Sequence, residues 1–213
     1  MAGNIQNVNL PKLKGEIDDY KSVAIKLQAS MTNIRKYMES FTTCWTGERI
    51  NAVITLWNKS CSTMDNQVCY FGMKIRLILN EIYNQYSAME KGAPKDSSYG
   101  YAWGGINKIK LTDSSKIKFE KAKAESIAKN IQIETNNVVN YLKQLITKLD
   151  SMQTYSDSLK TLSITYKETA TGMQKSLIEL CTNIQQEVNR AISDVKATES
   201  FNENDAKRAN NQY

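Results

Sequence analysis

Histidine is missing altogether, and proline nearly so, with two in 213 residues. Without histidine there is no imidazole to serve as a general base or to complete a zinc site. The four cysteines, Cys44, Cys61, Cys69 and Cys181, show no CxxC spacing. Cys61 and Cys69, eight residues apart, would stand about 12 Å apart along a helix, too far to bridge. Buried free thiols are the expectation, with no metal and no cofactor. No window approaches the roughly 20 apolar residues that cross a bilayer, and no charged segment followed by an apolar run opens the chain. Neither a cleaved Sec signal nor a membrane span is expected. Nor is there a Gly-rich phosphate loop or a recognisable nucleophile-base combination, so the chain reads as a non-enzyme.

Nine glycines and two prolines leave long stretches without a breaker, while 41% of the residues are hydrophobic and 23% charged. That is the composition of an ordered helical chain. The net charge of +6 and pI near 9.0 are spread among acids, except from Lys108 to Lys123, where six lysines face two acids. With no arginine-aromatic cluster, nucleic acid is not the expected partner. The lysine run reads as a solvated helix start.

Apolar residues recur at the 3-4 spacing of a helical stripe at Ile17, Tyr20, Ala24, Leu27, Met31, Ile34, Met38 and Phe41. Pro11 sits where a missing N–H costs nothing, and Asn9 is a candidate cap. After a break from Cys44 to Gly47, a second stripe runs through Ile50, Val53, Trp57, Met64, Val68, Phe71, Ile75, Leu79, Ile82 and Tyr86. So short a connection forces the helices antiparallel. Periodicity lapses over residues 91–115, where Gly92, Pro94, Gly100, Gly104 and Gly105 mark a linker. It returns from Ala128 to Met152 and from Leu159 to Val195. The expected units are a hairpin over 1–92, a linker over 93–115, a second hairpin over 116–200 and a polar, frayed tail over 201–213.

A shift of 111 residues carries Ile17, Tyr20, Leu27, Met31, Ile34, Met38 and Phe41 onto Ala128, Ile131, Val138, Leu142, Leu145, Leu149 and Met152. A shift of 109 carries the second stripe onto Leu159 through Val195. This matches a duplicated hairpin with a turn two residues shorter; two unrelated helix pairs are the alternative. A lone hairpin leaves its apolar stripe half exposed. The expected fold is therefore all-α, two tandem antiparallel hairpins packed as a four-helix bundle, with the linker returning along it. A homodimer that swaps hairpins satisfies the same stripes.

The first turn reads Cys44-Trp45-Thr46-Gly47-Glu48. Here the chain resembles the WXG family of small secreted helical hairpins, named for a Trp-x-Gly turn between two antiparallel helices. Trp45 and Gly47 match the motif at the place where the family puts it. A glycine can take positive φ without a Cβ penalty, the Trp ring can cover the bundle end, and Thr46 is a candidate cap for the second helix. The second turn, Tyr155-Ser156-Asp157, lacks both motif residues, with Asp157 a candidate cap. Trp103-Gly104-Gly105 lies in the linker and does not count. Relatives also carry a Tyr-x-x-x-Asp/Glu export signal after the second helix. Tyr86 and Glu90 fit that pattern, although the pair also reads as a core tyrosine beside a solvated glutamate.

The resemblance implies a substrate, partner or chaperone-like adaptor of a type VII secretion system of Gram-positive bacteria, acting by helix-helix recognition. It further implies engagement of the secretion ATPase, a cognate secreted protein as a further partner, and a tandem chain that fuses the usual pair. The protein would be cytoplasmic before export, then secreted or at the cell surface without a cleaved signal. An amphipathic bundle that opens onto a membrane is the alternative function, although core packing explains the stripes equally well.

Overall fold

A computed structural model describes residues 8–89 and 103–210, leaving aside the side chains of Glu199 and of residues 201–210. Helix α1 spans Leu10–Cys44. Asn9 caps it, its side chain accepting from the Lys12 N–H at 3.0 Å. A two-residue strand, β1 (Trp45–Thr46), and Gly47 reverse the chain into α2 (Glu48–Cys69). A π-helical turn, Tyr70–Lys74, leads into α3 (Ile75–Met89). Beyond Trp103 an extended segment ends in β2 (Lys118–Phe119), followed by α4 (Lys121–Ser151), a 3-10 turn and α5 (Asp157–Asn210). Among the described residues no helix is long and apolar enough to cross a membrane.

Side-chain bonds fix the directions. Asn33 donates to Glu134 at 2.9 Å and Lys148 to Asp19 at 2.9 Å. Later residues of α4 thus meet earlier residues of α1, which makes these helices antiparallel. Arg49 pairs with Asp194 at 2.6 Å, and the Tyr86 hydroxyl donates to the Tyr155 carbonyl, so α2–α3 and α5 are antiparallel too. The order is up, down, down, up. Helix α1 packs more extensively against α4 than against the helices of its own hairpin.

The stripes read from the sequence form the core. Ile17, Tyr20, Leu27, Met31, Ile34, Met38 and Phe41 are buried, as are Ala128, Ile131, Val138, Leu142, Leu145, Leu149 and Met152. Trp57 and Tyr166 are among the largest side chains removed from water.

Because α3 and α4 both run down, the chain must climb back between them. The segment from Trp103 to Phe119 runs up beside α2, from Asp65 to Thr46, as a strap. Asp65 accepts from the Trp103 indole N–H at 2.6 Å and from the Ile106 N–H at 2.9 Å. Asn58 accepts from the Ile109 N–H and donates to the Ile109 carbonyl, both at 2.8 Å. Asn51 accepts from the Thr112 N–H at 2.8 Å and donates to the Thr112 carbonyl at 3.0 Å. Ile106 and Ile109 join the core. The expected linker is thus an ordered part of the fold from Trp103 on, and the second hairpin starts at Lys121, not at residue 116.

Four other expectations change. The second helix of the first hairpin is not one continuous α-helix, because the π-turn adds a residue to a turn without disturbing the stripe. Thr46 does not cap α2: Gly47 occupies the cap position with no side-chain bond, and the Thr46 hydroxyl donates to the Lys116 carbonyl at 2.5 Å. Asp157 is the first residue of α5 rather than its cap, and the Ser156 hydroxyl accepts from the Ser158 N–H at 3.2 Å. The stretch read as a frayed tail is helical as far as Asn210. Nothing after Gly172 is a glycine or proline, so no local signal stops the helix.

Candidate functional site

The residues singled out by the turn motif meet at one end of the bundle. Trp45 closes α1 in an extended conformation, φ −142° and ψ 125°, and its N–H still bonds the Phe41 carbonyl. Its ring is 4% exposed, edge-on to Phe41 at 6.1 Å and to Phe119 at 5.1 Å between centroids. Phe119 comes from the strap, where Trp45 pairs with Phe119 and Thr46 with Lys118 across an antiparallel ladder. Gly47 has φ 117° and ψ −177°, a region open almost only to glycine, and its N–H donates to the Thr112 hydroxyl at 3.2 Å.

A helix ends with carbonyls that lack partners, and α1 has no basic residue in its last turn. The strap supplies what is missing. The Glu120 N–H donates to the Cys44 carbonyl and the Lys118 ammonium to the Thr43 carbonyl, both at 2.8 Å. The cation also complements the negative end of the helix dipole. Lys118 and Lys123 pair with the two oxygens of Glu120 at 2.6 and 2.8 Å, and their hydrogen bonds hold its carboxyl down at about 2. Part of the lysine run is therefore neutralised within the fold. Burial pushes the Cys44 and Cys181 thiols up, away from the thiolate that nucleophilic chemistry needs. All four cysteines are free, three of them buried and Cys69 half-buried.

Beside the turn lies a groove of about 670 Å³. Trp45 through Arg49, Ile117 and Phe119 form one wall, and Ala191, Asp194, Val195 and Thr198 of α5 form the other. Ile117 is 92% exposed at its lip. Arg49 spans from the start of α2 to α5, 2.6 Å from Asp194 and 3.8 Å from Glu187. Helix α5 continues for twelve residues past Thr198, about 18 Å at 1.5 Å per residue.

The second motif lies elsewhere. Tyr86 is half-buried near the end of α3, its hydroxyl tied to the turn of the second hairpin, and Glu90 falls outside the described residues. About 60 Å of helix separates Tyr86 from Gly47, so the two motifs do not form one site.

A polar cluster deep in the bundle had no signal in the stripes. At the π-turn the Ile75 N–H reaches back to the Tyr70 carbonyl. The Phe71 carbonyl takes the Tyr20 hydroxyl instead, at 2.9 Å. That hydroxyl stands 3.4 Å from the Tyr166 hydroxyl, and burial pushes both tyrosines well above their ordinary range. Gln28, fully buried, has both amide atoms without a hydrogen-bond partner and fills the space where a side chain on Gly72 would stand. Tyr20 stands in the first stripe as an apolar ring and Gln28 lies beside that stripe, so neither was marked as a buried polar group.

Among the described residues no cluster of potential metal ligands occurs. No family model, curated protein or solved structure matches the chain.

Proposed function

We propose that this protein is a non-enzymatic substrate, partner or chaperone-like adaptor of a type VII secretion system, recognised through helix packing. The observation that carries the reading is the reversal at Trp45-Thr46-Gly47. Two helical arms turn back within three residues, with the tryptophan folded into the bundle end and the glycine at positive φ. A second hairpin laid antiparallel against the first supports a fused version of the usual pair, which needs no separate partner to cover its apolar stripes. Buried thiols and a bundle end held by backbone pairing fit a role in which no residue performs chemistry. The surface offered for recognition is the groove beside Trp45 together with the length of α5 that continues past it, and the secretion ATPase is the partner proposed for it. Tyr86, near the end of α3, and Glu90 four residues on are proposed as the export signal. Before export the protein is cytoplasmic; afterwards it is in the medium or on the cell surface.

The test is to follow the protein in culture medium with and without the secretion ATPase. Export should require the ATPase, and presence in both cultures or in neither would reject the reading. Within that test, Glu90→Gln leaves the Tyr86 hydroxyl bond in place. It should cut export about tenfold, equivalent to ~1.4 kcal/mol of recognition, with no change in melting temperature.

A further inference from the structure

On α2, Asn51, Asn58 and Asp65 recur every seven residues, while on the strap their partners Thr112, Ile109 and Ile106 recur every three. The two periods are commensurate. Seven helical residues rise about 10.5 Å and three extended residues about 10 Å, so each step along the helix meets the next contact on the strap. Asn51 and Asn58 each accept a backbone N–H and donate to the carbonyl of the same residue. A carboxamide used this way replaces a neighbouring β-strand, pairing with main chain regardless of side chain. Selectivity then falls to the residues turned inward. Ile106 and Ile109 are buried, whereas Asn107, Lys108, Lys110 and Leu111 between and beyond them are exposed. Trp103 at one end bonds Asp65, and the Trp57 indole N–H donates to the Asn107 carbonyl at 3.3 Å.

This flank is separate from the groove that α2 shares with α5, which Ser60, Thr63 and Gln67 on the other side of the helix line. The ladder therefore reads an extended segment and not a helix. Its occupant is defined by its own sequence, Trp-x-x-Ile-x-x-Ile-x-x-Thr. The tether also bears on which molecule supplies it. Asp65 lies about 36 Å of helix from Met89, and the fourteen peptide links from Met89 to Trp103 reach at most about 50 Å. Docking within one molecule thus uses most of the available reach, and a segment from another molecule makes the same bonds free of that limit.

We propose that the Asn51–Asn58–Asp65 flank of α2 is a docking site for an extended peptide, and that it takes the Trp103–Thr112 segment of a second copy of this chain whenever its own segment is released.

Complementation between two full-length variants tests this. Ile106→Ser with Ile109→Ser empties the site by removing the inward side chains, and Asn51→Ala with Asn58→Ala frees the segment by removing the clamps. Each variant alone should sediment as a monomer, and an equimolar mixture should form a one-to-one dimer. A labelled peptide of residues 103–116 should bind the first variant saturably, and adding Asn58→Ala should weaken it about tenfold, as expected for two lost hydrogen bonds. A mixture that stays monomeric while both variants keep their helical circular dichroism overturns the proposal, as does peptide binding indifferent to Asn58→Ala. Should the doubly substituted strap fail to fold, Ile109→Ser alone takes its place with the same readouts.

Discussion

Burying the Trp45 ring between Phe41 and Phe119 removes it almost wholly from water. Trp45→Ala should therefore cost ~3–5 kcal/mol, read as a lower urea midpoint, and an unchanged midpoint would mean that the ring contributes nothing to the fold. Tyr20 carries a different kind of constraint. Its hydroxyl satisfies a carbonyl displaced by the π-turn, and burial raises its proton affinity above the ordinary value of 10.0. A raised folded value contributes stability that is complete below the unfolded value and lost as pH climbs past it. Stability should accordingly hold up to about pH 10 and fall above it. Tyr20→Phe should be less stable at neutral pH by ~1–3 kcal/mol yet lose less on the alkaline side. Urea midpoints measured against pH check both. At Gly72 an added methyl would collide with the Gln28 amide. Gly72→Ala should destabilise by ~1–3 kcal/mol, and Gln28→Ala should relieve part of that cost. A double-mutant cycle whose effects simply add would separate the two residues energetically.

Among the elements, the turn at Trp45 and the strap depend on each other. Helix α1 ends without a cation in its last turn, and Lys118 and Glu120 complete it by donating to the Thr43 and Cys44 carbonyls from far along the sequence. Gly47 lets this happen in three residues because its backbone adopts angles that a Cβ penalises. Gly47→Ala should cost ~1–3 kcal/mol in a thermal melt, and a negligible cost would show that the turn tolerates another conformation. The helical stripes themselves were fully legible, since a 3-4 recurrence of apolar residues directly encodes which face is buried. The π-turn was not, because its spacing of Val68, Phe71, Ile75 and Leu79 also suits an α-helix. Neither was the order of the strap. Glycines around Gly104 and Gly105 signal a break in helix, but they do not tell an ordered extended segment from a loose one.

At the scale of the whole molecule, α1 finds more of its packing on α4 than on its hairpin partner. Separate halves, residues 1–95 and 96–213, should each melt without a cooperative transition and regain one when mixed in equal amounts. Cooperative melting of either half alone would make the hairpins independent domains. Of the candidate site, Trp45 and Gly47 were readable as a turn pair from their position between two stripes. The groove walls at Ile117, Phe119 and Val195 were not, because the strap and α5 that supply them lie far from the turn and from each other in sequence. The amino-acid sequence by itself determined the helical class, the four stripes, the reversal at Trp45 and the break before Trp103. All of these are local consequences of period and of backbone freedom. Only the tertiary structure decided that α4 descends beside α1, that the strap climbs α2, and that the Tyr20 hydroxyl meets a π-turn. Those outcomes depend on which unsatisfied polar groups and half-covered stripes meet across long separations, and a pattern along one segment carries no information about its partner.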